Sequence, residues 1–405
     1  MASIFDYFKR PTKKDISAPA AMPTQGLSFG SLSDMVNGGT VTKVSHPDEA
    51  QKMAEYYNSI NKISNTISTL SRNWYITEDD NARKLKENEY TQVFLWKNMM
   101  FHGLVPSKVI KTWIVNYLKG GNGYLIMRRE NGNVTSYINR KWNEMFPFYD
   151  RDGNVWYYDY VSKKAIYWLD VLHLADITDD ALIGKTKVSH QAETLGKSKA
   201  AATFLNKYMG KGLFLGAVIE YPLEADLDDK TSREIESTMA QMYGGVDKYN
   251  AVGVITAGGK LKQLKTDIPL TDSQYIENEI RTDKQIKGFF SIPYEIKTQD
   301  DINQYYNDAI MPIIRMIEEE VSLKVPYIAE IGKYYLKFEV DSILRAAPET
   351  KINVITKAID KGLMTINEGR AKMELPPIEG GDKTLVMANN LVPLSELDDF
   401  VKSKM

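Results

Sequence analysis

Along residues 47–70 the apolar side chains recur every three or four positions. Ala50, Met53, Ala54, Tyr57, Ile60, Ile63, Ile67 and Leu70 form one stripe. That spacing predicts an amphipathic helix opening at Pro47, because 3.6 residues per turn bring such positions to one face. Val109, Ile110, Trp113 and Tyr117 predict a second helix over 107–119. The period then changes to two. GYLIMRRENGNVTSYI has strand-like runs on both sides of Asn131-Gly132, a pair that tolerates the positive φ of a tight hairpin turn. FPFYDRDGNVWYYDYVSKKAIYWL repeats the layout with Asp152-Gly153 as its turn. Its Tyr157, Tyr158, Tyr160, Tyr167 and Trp168 could stack bases, but strands favour aromatics for packing alone, so they are read as core.

Helical patterning returns in the alanine-rich segment 193–212, which ends in glycine, and FLGAVIEYP then reads as a buried strand. DDKTSREIESTMAQMYGG has acids at its start and glycines at its end, as a capped helix requires. Short strands are expected around Asn250–Gln263, and a helix over 272–291 with Asp272 or Ser273 as its cap. After IPYEIKTQDD, Ile302, Tyr306, Ile310, Ile313, Ile317 and Val321 line one side of a helix from Asp301 to Lys324. Pro312 lies inside it; having no amide donor and crowding the preceding turn, it predicts a kink. YYLKFEV is a further strand, followed by two helices and a tail, while residues 1–45 lack any sustained period and read as an extended arm.

Composition narrows the chemistry. A chain of 405 residues, 43% hydrophobic and 26% charged, can build two or three packed units. No apolar run approaches the roughly 20 residues of a membrane span, and the polar N-terminus does not resemble a secretory segment, so a cytosolic origin is expected. The absence of cysteine removes thiol nucleophiles, disulfides and thiolate metal sites. With 51 basic and 53 acidic residues the net charge is -2, against the basic excess of a protein that grips DNA phosphates. KRPTKK at 9–14 could touch nucleic acid but reads more simply as a solvated tail.

Two segments imitate a phosphate-binding loop: IGKT at 183–186 and LGKSK at 195–199. Each lacks the glycine five positions before the Gly-Lys pair, where Asp179 and Gln191 stand, so neither can wrap a phosphate. The histidines at 46, 102, 173 and 190 have no metal-ligand spacing. The acidic runs at 79–80, 228–229, 300–301 and 318–320 read as caps, loops or, for the last, a helix's solvated side. No catalytic residue, metal ligand or cofactor is expected.

GLMTINEGRAKMELPPIEGG, residues 362–381, is the most specific stretch. Thr365 and Glu368 have the spacing of a capping box, and Leu375-Pro376-Pro377 stops the helix they open. Gly362, Thr365, Asn367, Glu368, Arg370, Leu375, Pro376, Pro377, Glu379, Gly380, Gly381 and Asp382 match a pattern that resembles the C-terminal signature of tailed-bacteriophage portal (head-tail connector) proteins of the long-tailed lambdoid type. NNLVPL at 389–394 is similar to the family's ending. IMPIIRMIEEEVSLK resembles its proline-containing helix, and residues 286–293 its "I-A-x-x-F-G-V-P" segment, with Phe-Ser-Ile in place of Phe-Gly-Val. In order and spacing the resemblance covers about 35–395.

The resemblance implies an α+β portal fold: an α/β wing, a two-helix stem, a small α/β clip, a long radial helix and a short helical crown, forming a ring. On this chain it implies an arm at 1–39, a wing at 40–192, stem helices at 193–212 and 272–292, and a clip at 213–271. A tunnel loop would follow at 293–301, then the long helix and returning wing strand at 302–345, and a crown at 346–405. It further implies a homo-oligomeric ring, twelve subunits in the virion, assembled in the host cytoplasm and placed at one capsid vertex. Its partners would be the terminase large subunit, a head-tail adaptor, the major capsid protein and double-stranded DNA passing without sequence specificity; no membrane is involved.

The DNA-channel candidates are Ile296, Lys297, Thr298 and Gln299 in the loop and Lys197, Lys199, Arg281, Lys284 and Lys287 on the stem. The stem cations either ring the DNA or pair with Glu277, Asp283 and acids of neighbouring subunits; Lys297 and Gln299 are the stronger candidates. The alternatives from other classes are a metal-dependent nuclease or hydrolase using the carboxylates, and another head-tail connector component.

Overall fold

The first helix opens on His46, whose Nδ1 accepts the Asp48 amide at 3.2 Å, with Pro47 in the first turn, where a missing N–H costs nothing. This helix, α1 (Pro47–Ala50), is one turn long, and an extended Met53 separates it from α2 (Ala54–Thr69). The single helix predicted from Pro47 is therefore two. The break resets the phase, so Tyr56 joins Ile60, Ile63 and Ile67 in the core while Tyr57 is 49% exposed.

The computed structural model describes residues 44, 46–78, 81–210, 217–220, 230, 233–234, 237, 260–263, 272–340, 348–373, 375–383, 385–388 and 390–393. The expected arm at 1–39, most of the clip with its helix, and the tail from 394 lie outside these residues. The chain divides into two units, Met1–Phe338 and Glu339–Met405.

In the first unit, β1 (Ser71–Glu78) and β2 (Asn81–Lys84) form a hairpin, followed by α3 (Thr91–Lys97) and α4 (Pro106–Gly120). Val109, Ile110, Trp113, Ile114 and Tyr117 of α4 are buried, as the period predicted. The strands β3 (Asn122–Glu130) and β4 (Asn133–Arg140) meet at the predicted turn, with Asn131 at φ 51° and Gly132 at φ 85°. β3 is buried on both faces and so reads as a continuous apolar run. Tyr124 and Ile126 cluster with Met145 and Tyr157 on one side, whereas Gly123 lies against the Trp113 backbone of α4 on the other.

The next sheet is β5 (Met145–Tyr149), β6 (Val155–Asp159) and β7 (Lys164–Tyr167). Its first turn is longer than a two-residue hairpin. Asp150 N–H donates to the Asn154 carbonyl at 2.9 Å and only Gly153 has positive φ. The Asp150 carboxylate holds this loop by accepting from the amides of Asp152 and Asn154 and from Trp156 Nε1. Tyr157 and Tyr167 are buried, in keeping with packing. β8 (Val171–Ala175) completes the order β4-β3-β8.

Helix α5 (Lys187–Gly210) starts earlier than the pattern suggested, because Thr186 Oγ1 accepts the Val188 amide and donates to the Lys119 carbonyl. β9 (Ala217–Glu220) and β10 (Lys260–Gln263) pair antiparallel. Then come α6 (Asp272–Phe289), α7 (Gln299–Gln304), a π-turn at Tyr305–Ile310 and α8 (Met311–Lys324), the last three continuous. The disturbance expected at Pro312 takes the form of this π-turn. Met311 N–H reaches back five residues to the Tyr306 carbonyl, and the widened turn makes room for the proline ring.

Helix α8 spans the edges of two sheets, and of its acidic run only Glu319 lies on the solvated side expected. Glu318 accepts the Phe338 amide at 2.7 Å on β11 (Tyr334–Glu339), which pairs with β1. Glu320 accepts the His173 amide of β8 at 3.1 Å and pairs with Lys324, whose Nζ donates to the Val171 carbonyl. These carboxylates supply partners for edge amides that would otherwise be unpaired. Arg129 completes the junction. Its guanidinium pairs with Asp170 at 3.0 Å and donates to the carbonyls of Gly132, Leu169 and Lys324.

The second unit contains α9 (Pro348–Asp360), α10 (Ile366–Lys372) and the hairpin β12 (Leu385–Ala388)–β13 (Asn390–Pro393). Gly369 lets α10 approach α9 closely, since a Cβ there would lie 2.8 Å from Ile359.

Candidate DNA-facing loop and the family signature

The loop between α6 and α7 is fixed at both ends by its own backbone. At the first end, the Ile292 amide donates to the Lys287 carbonyl and the Ser291 amide to the Gly288 carbonyl, both at 3.0 Å. This is a Schellman stop, with Ser291 at φ 54° where glycine is normally favoured. Phe290 and Ile292 are buried, and the Phe290 ring meets Tyr56 edge-on at 5.2 Å. At the other end, Thr298 and Asp301 form a capping box. The Asp301 amide donates to Thr298 Oγ1 at 3.2 Å, and the Asp301 carboxylate accepts the Thr298 amide at 2.8 Å. The amides of Lys297 and Thr298 hold the Asp301 carboxyl below its usual range.

The loop, 290–298, therefore begins and ends three residues earlier than the predicted 293–301, because the helix before it stops at Phe289 and Gln299 already lies in α7. Within it, Ile296 is half-buried, while Lys297 is exposed and paired with Glu295. Hydrogen bonding to Glu295 raises the pKa of Lys297. Thr298 is used as a cap, and the Gln299 amide group reaches Asn303 at 3.4 Å.

The stem candidates fall into separate classes. Lys287 Nζ donates to the Tyr294 carbonyl at 3.0 Å and lies 3.6 Å from Glu55 of α2. Lys284 and Lys287 both stand 4.8 Å from the Tyr294 ring centroid. Lys199 pairs with Glu49 of α1. Lys197 and Arg281 are exposed and make no ion pair among the described residues. Asp283 is pushed up by desolvation, and the Glu277 side chain lies outside the described residues. Glu55 and Tyr294 had no sequence signal. Both lie far along the chain from, or in a different element to, the lysine they hold.

The other chemical suggestions resolve into structure. Gly184 of IGKT packs against Gly121, where a Cβ would lie 2.0 Å from the Gly121 carbonyl, and Asn122 bridges its amide and carbonyl at 2.9 and 2.7 Å. LGKSK lies inside α5, whose amides are engaged along the helix and cannot curl around a phosphate. His173 is buried against Tyr124 with ring centroids 4.5 Å apart; Asn122 Oδ1 and Tyr157 Oη lie within hydrogen-bonding distance of its two nitrogens. Burial, aided by Lys324, lowers its pKa to about 3, so it stays neutral. Among the described residues no group of three or more His, Asp or Glu is arranged to hold a metal, and no helix is long and apolar enough to cross a membrane.

The 362–382 stretch forms an elbow, and its geometry gives structural roles to Gly362, Thr365, Asn367, Glu368, Arg370, Gly381 and Asp382. Gly362, at φ 68°, closes α9 through a second Schellman stop, with Leu363 N–H donating to Ala358 and Gly362 N–H to Ile359. Thr365 and Glu368 form the predicted capping box. Asn367, only 9% exposed, accepts the Ile378 amide at 2.8 Å and donates to the Ile378 carbonyl at 3.0 Å and to Asp382 at 2.8 Å. Arg370 Nε donates to the Pro376 carbonyl at 2.8 Å, and Gly381 leaves room for Asn367, to which a Cβ would come within 2.5 Å. Asn367, Arg370, Gly381 and Asp382, all shared with the portal signature, are thus the residues that fold the Pro-Pro segment back onto α10.

Comparison with known proteins agrees with this. The family profile described as "Phage portal protein" matches residues 54–374. The probable portal protein of Streptomyces phage phiC31 is 20% identical over 411 residues, covering 94% of this chain and 86% of the relative. An HK97 family phage portal protein from Corynebacterium diphtheriae superposes with a TM-score of 0.54 at 12% identity, covering 76% of this chain and 99% of that one. A chain from the neck of an empty GTA particle, computed with C6 symmetry, gives 0.57 at 14% identity over 86% of this chain and all of that one. One from the neck of a native GTA particle, computed with C12 symmetry, gives 0.52 at 15% identity over 86% and 99%. With its mixed α and β architecture, its elbow signature and a profile match running from α2 through α10, the chain belongs to the phage portal protein family.

Proposed function

We propose that copies of this chain assemble into a twelve-membered ring at one vertex of a phage capsid, through which double-stranded DNA enters during packaging and leaves during ejection. The observation that carries this reading is the family match across 54–374, which includes the helix–loop–helix from α6 to α8. In this arrangement residues 40–192 and the strand Tyr334–Glu339 form the wing. Residues 193–212 and 272–292 form the stem, 213–271 the clip and 346–405 the crown. The loop between Ser291 and Thr298 faces the channel, and Ile296, Lys297, Thr298 and Gln299 lie nearest the DNA. The terminase large subunit, a head-tail adaptor and the major capsid protein are its partners in the virion, and no catalytic step is assigned to the chain.

Charge supports a conduit. Twelve copies that each gripped phosphates would slow translocation, whereas this chain is close to neutral and its loop lysine is paired with Glu295. Negative-stain imaging of the purified full chain tests the assembly: rings with a central hole are expected. A monomer with metal-dependent nuclease turnover would overturn the reading. Replacing Tyr294–Lys297 by glycines should leave rings intact and impair DNA packaging.

A further inference from the structure

We infer that Lys287 acts as a positioning residue for the loop, bracing it against α2 through Glu55 and the Tyr294 carbonyl rather than contacting DNA. This rests on the channel-facing reading of the loop. Three observations converge on it. The ammonium group is shared between Tyr294 O at 3.0 Å and the Glu55 carboxylate at 3.6 Å, so its charge is committed within one subunit. Tyr294 lies against Lys284 and Lys287 at 4.8 Å each, which fixes the ring as well as the carbonyl. Lys287 is also the residue whose carbonyl accepts the Ile292 amide of the Schellman stop. One residue therefore holds the loop's first turn by its backbone and its second by its side chain.

The brace links loop position to the wing. Glu55 lies in the first turn of α2, whose Tyr56 packs on Phe290 and whose Thr66 is 3.1 Å from the Tyr305 hydroxyl at the π-turn. Helix α2 thus touches the loop's flanking elements on both sides. A Lys287 that contacted phosphate would have to give up both the Tyr294 carbonyl and the Glu55 carboxylate.

Because the chain has no cysteine, Glu295→Cys provides a unique site for a spin label. In assembled rings the label should be immobilised in the otherwise wild-type protein. Lys287→Met should convert most of the signal to a mobile component, Glu55→Gln should do so in part, and Lys287→Arg should restore immobilisation. Without the label, the DNA packaging rate should fall for Lys287→Met and recover for Lys287→Arg. An unchanged label signal in Lys287→Met overturns the brace. Slower packaging with an unchanged signal also overturns it and makes Lys287 a DNA contact. A mobile label with normal packaging leaves the brace standing and overturns the channel role of the loop.

Discussion

Ser291→Gly is the most informative single change at the loop, because it isolates backbone strain from every side-chain contact. Ser291 occupies the left-handed position of the Schellman stop at φ 54°, where the family segment it resembles has glycine. Holding an L-residue there costs on the order of 1–2 kcal/mol, and glycine removes that penalty. Glycine in turn loses about 0.5–1 kcal/mol through the greater freedom of the unfolded chain. The net expectation is a local stabilisation of about 0.5–1 kcal/mol, or roughly two- to fivefold slower exchange of the Ile292 amide, which reports opening of this turn. Hydrogen exchange read by mass spectrometry on peptides spanning 287–298 gives the answer directly. Ser291→Val, β-branched and poorly tolerated at positive φ, should move exchange in the opposite direction. Faster or unchanged exchange in the glycine variant would refute the claim that Ser291 is strained.

Other expectations concern the two anchoring points. Asn367→Ala removes the ties to Ile378 and Asp382 and should destabilise the second unit by about 2–4 kcal/mol, measured by urea unfolding followed by exchange of the Ile378 amide; a loss below about 0.5 kcal/mol would contradict the elbow account. Arg129→Met removes the ion pair with the half-buried Asp170 and uncaps the Lys324 carbonyl, so a loss of about 3 kcal/mol is expected in the first unit, with Lys recovering only part of it. His173 is neutral in the fold, with its pKa lowered from 6.5 to about 3. Its contribution is complete above pH 6.5 and is lost as pH falls towards 3, at about 1 kcal/mol per pH unit. His173→Gln should therefore show a flatter decline in stability between pH 6.5 and 5 by denaturant titration, and an identical decline would count against the buried neutral imidazole.

Local signals were read well where one residue pair decides the geometry. Asn131-Gly132 specified its turn, the 3.6 period specified α4, and Thr365 with Glu368 specified a cap. The failures have a common cause. β2 reads Asn-Ala-Arg-Lys, a short polar segment made a strand only by pairing with β1, which no local period reveals. The phase change between α1 and α2 comes from an extended Met53 that the apolar spacing conceals. Glu318 and Glu320 looked like a solvated face because the amides they accept, at Phe338 and His173, belong to other elements. At the loop, the sequence indicated which segment links the two helices but not that Gln299 is helical or that Lys287 is tied to Glu55. Charge pairing depends on tertiary neighbours, so a list of lysines cannot separate a DNA contact from a strut.

The central claim, that the loop of each subunit lines a DNA channel, is tested most directly by cross-linking in arrested packaging complexes. The chain has no cysteine, so Lys297→Cys can carry a thiol-linked photocrosslinker as a single probe, with Val161→Cys on the exposed turn between β6 and β7 of the proposed wing as the comparison. We predict efficient cross-linking of Lys297→Cys to double-stranded DNA of any sequence, and little or none from Val161→Cys. Rings that package DNA while the Lys297→Cys probe never reaches it would contradict the account.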